Sequence, residues 1–552
     1  MSTEILDGKT LKAMLIGGTE NIRTNIEQIN DLNVFPVPDG DTGTNMTKTL
    51  EGGISEISSM NSESIAEVMG KFAHGVLLGA RGNSGVILSQ IFAGIKEELE
   101  KYESVTALDL SNAYRNGIAK SYSAVVNPTE GTILTVFRES TEYAAARIND
   151  KSTIDDFLRL HIEEARRSLA RTKDILPVLS EADVVDSGAA GYLCIALGMQ
   201  YALTGKMRAE SYSFENKDDE KPSLNIDDFT RDSRLEFGYC TEFLLRLTTE
   251  KCDPDAFEVK TAIEALRAIG GESIVAYKTD DILKVHVHTF TPGKALEICQ
   301  SYGEFLTVKI ENMSLGHTEE KKETKKEPEK KKPFSVVAVA TGEGICSLLL
   351  HMGADSIING GQTSNPSTEE FIEEFEKCNS ENIIVLPNNK NVFLAARQAA
   401  ELYDKARVHI IPTESVMQGY GALSVINPSI SDIDYLVKSA ESSAKSVLGC
   451  EITAAVRDVT IGGKDIKRGD YMAIVGHDIY AVSKSAEDAI VDMLTSYPNI
   501  DDYEILTLFV GRSVDEARRA EITERLEEEF PDFEVTVYEG DQEVYDYLLA
   551  LE

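Results

Sequence analysis

The fourteen residues from Asn33 to Met46, NVFPVPDGDTGTNM, combine residue types that suit metal and phosphate chemistry. Prolines and glycines prevent a regular helix through this segment, so Asp39 and Asp41 are predicted to lie in a rigid turn. The single glycine between them lets both carboxylates converge on one side. Convergent carboxylates suit a hard cation such as Mg²⁺, whose coordination shell substrate phosphates would complete. The alternative is an ordinary Asx-rich turn.

Four loops share a composition that predicts nucleotide binding. The first begins the helix after the aspartates, where backbone N–H groups and hydroxyls favour an anion, with residues Thr42, Gly43, Thr44 and Asn45. The other three are 79–85 (GARGNSG), 128–132 (PTEGT) and 186–191 (DSGAAG). Each alone is a weak signal, but four in one helical domain predict a cluster at one end. The chain has no GxxxxGKS/T motif and no GxGxxG in a strand–turn–helix context, which excludes the P-loop and the Rossmann fingerprint.

A second candidate is the alternating segment KVHVH at residues 284–288. On a strand, His286 and His288 would share one face, and Cys240 stands on a predicted neighbouring strand. A Cys/His/His set with an open fourth position suits Zn²⁺. On the residues alone, a polar surface pair of histidines is the more frequent arrangement.

The charge of the chain excludes several classes of function. Its 552 residues include 93 Asp+Glu against 55 Lys+Arg, a net charge of −38. Nucleic-acid binding needs a basic face, and docking on anionic lipid needs basic residues, so both are excluded. Hydrophobic residues make up 42%, which predicts a folded chain of about three or four domains. The sequence shows no signal peptide or transmembrane segment, and its seven cysteines are scattered without a CxxC, which predicts a cytoplasmic location.

Composition and periodicity divide the chain into four parts. Residues 1–205 are helical throughout, and 206–318 follow the order β-α-β-β-α-β of an α+β ferredoxin-like domain. Residues 319–333 contain twelve charged residues in fifteen and no apolar one, which predicts a solvated linker. Residues 334–552 alternate apolar runs with helical stretches, as in a parallel α/β sheet, and then give antiparallel strands. The predicted fold class is multidomain.

The four loops in this order resemble the ATP-binding L domain of dihydroxyacetone kinases, over residues 1–205. With its middle and C-terminal parts, the whole chain resembles the ATP-binding subunit of bacterial fatty acid kinases. The resemblance implies an antiparallel helix barrel with ATP and Mg²⁺ at one rim, where Asp39 and Asp41 ligate the metal. It further assigns nucleotide contacts to Thr42, Gly43, Thr44, Asn45, Asn83, Ser84, Thr132, Asp186, Ser187 and Gly188. It also implies that Cys240, His286 and His288 bind Zn²⁺.

Three departures from these families bear on the site. The kinases have a third aspartate before the pair, and the nearest candidates here are Asp31 and Asn33, the latter a weaker Mg²⁺ ligand. They also have a basic residue before the loop at Asp186, and this chain has none, so the phosphate contacts there must differ. The C-terminal part resembles the DegV fatty-acid-binding fold, with Thr363 and Ser364 where lipid binders hold a carboxylate. Its PNNKN loop at 387–391 replaces their serine-rich loop, which favours docking of a partner over lipid binding.

The resemblance therefore implies an ATP- and Mg²⁺-dependent kinase that converts a fatty acid to acyl-phosphate for phospholipid synthesis. The resemblance implies that a separate fatty-acid-binding carrier protein of the DegV family presents the fatty acid, and that the kinase is a homodimer. Two alternatives remain. One is phosphorylation of a small hydroxy or keto acceptor such as dihydroxyacetone, and the other is a non-catalytic lipid-carrier scaffold.

Overall fold

The computed structural model divides the chain into two compact units, which are described separately. One contains residues 1–216 and 330–552, and the other contains 217–329. The described residues are 3–33, 40–125, 127–205, 239–249, 251–253, 257, 259–269, 272–279, 282–312, 331–361, 364–430, 432–476 and 478–552. The expected connector at 206–235 and most of the charged linker lie outside these residues. The last linker positions differ from expectation, because a strand already begins at Lys332.

Helices account for the first part of the larger unit, as the sequence predicts. They are α1 Gly8–Arg23, α2 Ile26–Asn30, α3 Thr42–Ile57, α4 Ile65–Leu78, α5 Gly82–Leu99, α6 Ala107–Ala124, α7 Ile133–Ala145, α8 Ile154–Ile175, α9 Pro177–Glu181 and α10 Ser187–Thr204. The predicted capping box is present at α8, where Thr153 and Asp156 bond reciprocally to each other's backbone N–H. The apolar spacing over residues 11–29 predicts one helix, but in the structure α1 ends at Arg23 and α2 begins at Ile26. There Asn25 leaves the helical conformation and its amide donates to the Asn21 carbonyl.

Close packing of α1 against α10 brings the first and last long helices of this part together. A Cβ atom built on Gly198 would lie 2.2 Å from the Gly17 carbonyl oxygen, so the two backbones touch where neither residue has a side chain. Near its start, α10 also packs on α3, because a Cβ atom on Gly191 would lie 2.7 Å from the Met46 sulfur. The loops at Asp186 and Asp41, which precede these two helices, are thereby held beside each other.

The smaller unit has the element order that the sequence predicts. Its elements are β1 Tyr239–Leu247, α11 Val259–Ala268, β2 Glu272–Thr279, β3 Ile282–Thr289, α12 Pro292–Gln300 and β4 Gly303–Asn312. The four strands form an antiparallel sheet in the order β2-β3-β1-β4. Alternate residues of β1 and β3, such as Phe243 and Val285, pack with Leu266 of α11 into one buried cluster.

The C-terminal part of the larger unit contains two main sheets and a small antiparallel pair of strands, at residues 459–461 and 464–466. Its elements are β5 Lys332–Ala340, α13 Glu343–His351, β6 Ser356–Asn359, α14 Thr368–Lys377, β7 Ser380–Leu386, α15 Phe393–Leu402, β8 Arg407–Ile410, α16 Val416–Ser424, α17 Ile433–Ser446, β9 Leu448–Ala454, β10 Val459–Ile461, β11 Lys464–Ile466, β12 Tyr471–Val475, β13 Asp478–Ser483, α18 Ala486–Ser496, β14 Ile505–Val510, α19 Glu516–Glu529, β15 Glu534–Glu539 and β16 Tyr547–Leu551. One sheet is parallel in the order β6-β5-β7-β8, and the other is mixed in the order β13-β12-β9-β16-β14-β15.

Polar loops follow the parallel strands at one edge of the first sheet, as expected for an α/β fold. They begin at Thr341, Gly360 and Pro387. The strand β6 has only four residues, which is too short for sequence periodicity to identify a strand. Among the described residues, no helix is both long enough and apolar enough to cross a bilayer.

A histidine lies completely buried among aromatic rings inside the helical part. The Nε2 atom of His161 is 2.6 Å from the Tyr192 hydroxyl and 3.2 Å from the Ser140 hydroxyl. Tyr114 packs edge-on against the imidazole, with 5.3 Å between ring centroids. Burial lowers the pKa of His161 to about 3, so the folded chain keeps this ring neutral at any physiological pH.

Acidification is expected to destabilise the chain through His161. The pKa of His161 is about 3 in the folded chain and about 6.5 in the unfolded chain. Between these two values only the unfolded chain binds the proton, so the free energy of unfolding decreases as the pH is lowered from about 6.5 towards 3. From pH 7 to pH 5 the loss due to this one residue is about 2 kcal/mol. Denaturant unfolding of wild type and His161→Gln at both pH values would measure it, with the exposed His351→Gln as control. Equal pH dependence in wild type and His161→Gln would contradict the expectation.

Candidate nucleotide site

A cleft of about 540 Å³ lies in the larger unit, where the loops of the helical part meet the C-terminal sheets. Ten of the residues predicted to bind nucleotide or Mg²⁺ line it, namely Asn33, Asp41, Thr42, Asn45, Asn83, Ser84, Thr132, Asp186, Ser187 and Gly188. Asp39 falls outside the described residues, and Gly43 and Thr44 are not part of the lining. Four loops that are distant in sequence thus meet at one place.

Asp41 lies at the N-terminus of α3 but does not cap it. Its side chain is 8% exposed and makes no capping hydrogen bond to the helix. Instead, its carboxylate accepts a short hydrogen bond from the Asn365 amide, which comes from the C-terminal part. The Asn365 side-chain oxygen is buried and has no hydrogen-bond donor. A carboxylate and an unpartnered amide oxygen therefore lie side by side, and both are ligands that Mg²⁺ accepts.

The backbone N–H groups of Gly43, Thr44 and Asn45, at the start of α3, have acceptors within the chain. The Asn30 side-chain oxygen accepts from the N–H of Gly43 at 2.7 Å and of Thr44 at 3.4 Å. The N–H of Asn45 donates to the Asp41 carbonyl at 2.8 Å. A Cβ atom on Gly43 would lie 3.0 Å from the Asn30 oxygen and closer still to a backbone carbonyl, so only glycine leaves room for this arrangement. Thr42 and Asn45 therefore face the cleft with side chains.

A small cluster of oxygen atoms joins the loop at Asn33 to the start of α10. The Asn33 side-chain oxygen accepts from the Thr42 hydroxyl at 3.0 Å and from the Ser187 hydroxyl at 3.1 Å. The two hydroxyl oxygens are 3.2 Å apart. Asn33 therefore links two of the predicted nucleotide loops through these hydroxyls. Its role as an Mg²⁺ ligand stays a prediction.

Asp186 caps α10 and has an altered acidity. Its carboxylate accepts from the N–H of Ala189 at 2.7 Å, and its own N–H donates to the Thr172 hydroxyl at 3.2 Å. Removal from bulk water raises the pKa of Asp186 to about 6, although the backbone N–H groups of Ala189 and Ile133 oppose the rise. Close to neutral pH, this carboxyl group therefore exists in both protonation states.

Several lining residues come from the C-terminal part and were not predicted as site residues. They are Lys390, Asn391, Leu394, Glu451, Ile474, Gly476 and Tyr545. One direct link is the hydrogen bond from the Asn83 amide to the Asn391 side-chain oxygen at 3.3 Å. The NNKN sequence at 388–391, noted only as a substitution for a lipid-binding loop, was the available signal. Sequence reasoning missed these residues because they are about 300 positions from the loops they meet.

Two arginines hold the halves of the larger unit together beside the cleft. Arg81 donates to the Asn365 carbonyl at 2.9 Å and forms an ion pair with Glu370 at 2.9 Å. Arg457 donates to the Asp31 carbonyl at 2.6 Å and to the Asn33 carbonyl. The backbone at Asp31 and Asn33 is thus held from the C-terminal side.

A second cavity of about 280 Å³ lies at the carboxyl ends of the parallel strands and shares Glu451 and Tyr545 with the cleft. Ser364 lines it, as the resemblance to lipid binders implies, while Thr363 lies outside the described residues. Two buried side-chain oxygens of lining residues, on Asn388 and Gln542, have no donor. Glu451 and Glu543 also line the cavity. This set of acceptors disfavours a bound carboxylate.

The candidate zinc residues lie in the smaller unit. The sheet register pairs Cys240 with His288 directly across β1 and β3, and His286 stands two positions along β3. The side chains of all three lie outside what the structure describes. Among the side chains that are described, no group of three or more His, Cys, Asp or Glu could hold a metal ion.

Family comparisons match the chain in three consecutive parts. A DAK2 domain matches residues 36–201, the FakA-like middle domain of fatty acid kinases matches 236–320, and the FakA-like C-terminal domain matches 335–552. Among solved structures, DegV, a fatty acid binding protein from Bacillus subtilis, is 14% identical with a TM-score of 0.30 and covers 40% of this chain and 98% of its own. The dihydroxyacetone kinase from C. freundii, in complex with AMP-PNP and Mg²⁺, is 18% identical with a TM-score of 0.28 and covers 34% and 33%. Both TM-scores are too low to define a shared fold.

Full-length relatives are more similar. Protein YloV of Bacillus subtilis (strain 168) is 36% identical over an alignment of 566 residues, which covers 100% of both chains. The uncharacterized protein SH1689 of Staphylococcus haemolyticus (strain JCSC1435) is 36% identical over 564 residues, 99% of both chains. Since these relatives span the whole chain and the three family matches follow one another along it, the chain belongs to the FakA-like family of fatty acid kinase proteins.

Proposed function

We propose that this protein is an ATP-dependent kinase that phosphorylates a fatty acid to acyl-phosphate, and that a separate fatty-acid-binding protein presents the fatty acid. The observation that carries the proposal is that residues from four loops line one cleft: Asn33 with Asp41, Thr42 and Asn45, then 83–84, 132 and 186–188. The matches to the FakA-like middle and C-terminal domains of fatty acid kinases support the reaction type. The product would serve phospholipid synthesis.

The lining of the cleft suits a nucleoside triphosphate. Apolar side chains such as Ile87, Leu394 and Ile474 offer a surface for a base. The buried side-chain oxygen of Asn83 has no donor, so it suits an amino or hydroxyl group of a nucleotide. The hydroxyls of Thr42 and Ser187, which donate to the Asn33 oxygen in this structure, can turn about their Cβ–O bonds and donate to phosphate oxygens instead.

The oxygen donors at the start of α3 fit Mg²⁺. Asp41 would hold it together with Asp39, and the unpartnered oxygen of Asn365 lies beside the Asp41 carboxylate. When bound, Mg²⁺ neutralises charge on the β- and γ-phosphates. The chain itself holds Asp41 in place through Asn365 and holds the backbone at Asp31 and Asn33 through Arg457.

The chemistry of the acceptor distinguishes the two kinase hypotheses. In the proposed reaction, a carboxylate oxygen attacks the γ-phosphorus, and the bond from that phosphorus to the bridging oxygen of ADP breaks. A fatty acid is already ionised at neutral pH, so no general base is needed. A hydroxyl acceptor would need one, and Asp186 has a pKa of about 6 that suits this role.

The second cavity supports presentation of the fatty acid by a partner. Its lining includes Glu451, Glu543 and the unpartnered oxygens of Asn388 and Gln542, which would repel a carboxylate. A fatty acid held by this chain in that cavity would therefore be bound unfavourably. This supports delivery of the carboxylate to the cleft by another protein. The homodimer and the DegV-type identity of the carrier stay predictions.

Replacement of Asp41 is expected to abolish product formation. Wild type with Mg²⁺-ATP and oleate should form acyl-phosphate, trapped as hydroxamate, only when a fatty-acid-binding protein is added. Asp41→Ala should lose on the order of 10²–10³ in rate, because the metal and its phosphates lose a charged ligand. Asp434→Asn, an exposed carboxylate on α17, is the control.

The outcomes of this assay separate the hypotheses. Product from dihydroxyacetone but not from oleate would favour the small-acceptor kinase. Absence of ATP turnover with any acceptor would favour the scaffold. Product from oleate without a carrier would contradict presentation by a partner.

Asp186→Asn is expected to keep its kcat with a fatty acid acceptor, because no proton is removed from a carboxylate. The amide still offers an oxygen to the Ala189 N–H, so the cap is retained. Its pH–rate profile between pH 5 and pH 8 should match that of wild type. A large fall in kcat, with the inflection near pH 6 lost, would identify Asp186 as a general base and favour a hydroxyl acceptor.

Zinc is expected in the smaller unit if Cys240, His286 and His288 bind it. The direct pairing of Cys240 with His288 supports the site, because paired residues in an antiparallel sheet lie about 5 Å apart. Metal analysis of the purified chain should give about one zinc per chain, which His286→Ala loses. His351→Ala, a histidine of the larger unit, should leave the zinc content unchanged. Wild type without zinc would refute the site.

A further inference from the structure

The cleft has little positive charge to receive a triphosphate. Its described lining includes three carboxylates, those of Asp41, Asp186 and Glu451. Lys390 is the single lysine or arginine in that described lining. The sequence also lacks a basic residue before the loop at Asp186. Since phosphoryl transfer depends on neutralising charge on the transferred group, kinases and NTPases typically place a side-chain cation at the phosphates in addition to the metal. Within the described lining, only Lys390 can supply it.

The fold holds the backbone at Lys390 firmly. This loop follows β7, and Asn388 adopts the left-handed conformation, with φ of 55°. The N–H of Asn388 donates to the Thr413 hydroxyl at 3.0 Å, and its amide donates to the Val339 carbonyl at 2.9 Å. Both partners belong to the parallel-sheet part. The turn before Lys390 is therefore fixed from two sides.

The other side of the loop is fixed to the helical part. The N–H of Asn391 donates to the Asn389 side-chain oxygen at 2.7 Å, which shapes the turn around Lys390. The Asn391 side-chain oxygen accepts from Asn83, itself a predicted nucleotide-binding residue. The exposed Lys390 side chain thus lies next to a direct contact with one of the four nucleotide loops.

We infer that Lys390 binds the terminal phosphate of the nucleotide, so that the C-terminal part completes the phosphate site of the helical part. The inference rests on the proposed function, because it takes a nucleoside triphosphate as the ligand of the cleft. An ammonium group can donate charge-assisted hydrogen bonds to phosphate oxygens and move with the phosphate as it is transferred. The specificity for ATP over ADP then depends on a residue outside the helical part.

The test compares affinities of the full-length chain for Mg²⁺-ATP, Mg²⁺-ADP and AMP, measured by calorimetry. Lys390→Ala should weaken ATP binding about 10-fold or more, weaken ADP binding less, and leave AMP binding unchanged. Lys390→Arg should keep most of the affinity for ATP, because the charge is retained. Lys438→Ala, an exposed lysine on α17 outside the cleft lining, is the matched control and should bind as wild type does.

The outcomes distinguish failure of the Lys390 inference from failure of the proposed function. Equal ATP affinity in wild type and Lys390→Ala would overturn this inference and leave the proposed kinase intact. An equal loss for ATP and AMP would also overturn it, because it would show that the substitution disturbs the cleft as a whole. Failure of wild type to bind any nucleotide would overturn the proposed function together with the inference.

Discussion

A buried hydrogen bond from the Asn365 amide to the Asp41 carboxylate joins the two halves of the larger unit at the cleft. A carboxylate that is 8% exposed has lost most of its hydration, and leaving such a charge without a partner is unfavourable by several kcal/mol. The start of α3 therefore depends on a residue more than 300 positions away. Arg81 in turn holds Asn365 through its backbone carbonyl, so the contact is itself supported.

The charge of the chain makes this local order necessary. With a net charge of −38, the protein repels both anionic substrates of the proposed reaction at long range. Binding must then come from short-range groups: oxygen ligands for Mg²⁺, hydroxyls at Thr42 and Ser187, and the ammonium of Lys390. Each of these is effective only if the surrounding fold holds it within hydrogen-bond distance. Contacts that hold the two halves in a fixed arrangement thus compensate for the unfavourable electrostatic field of the net charge.

The C-terminal part contributes to the cleft through the same edge at which α/β sheets usually bind ligands. The loops after β6 and β7 supply Asn365 and Lys390, and these face the helical part. The neighbouring cavity at that edge contains two buried side-chain oxygens, on Asn388 and Gln542, that accept no hydrogen bond. The edge is therefore shaped to complete a nucleotide cleft, and its chemistry is unsuited to holding a carboxylate.

The amino-acid sequence by itself determined the helices of the first 205 residues, the element order of the smaller unit and the alternation in the C-terminal part. These are local properties, because apolar periodicity, capping residues such as Thr153 and turn residues act within a few positions. It also indicated the loops at Asp41, Asn83, Thr132 and Asp186, since their composition has a chemical meaning without any partner.

Only the tertiary structure decided which groups those loops can use. Asn30 occupies the N–H groups of Gly43 and Thr44, and Asn33 joins Thr42 to Ser187. The roles of Asn365 and Lys390 also come from contacts between residues far apart in sequence. No local pattern encodes such contacts, because they depend on how two separately formed parts pack against each other.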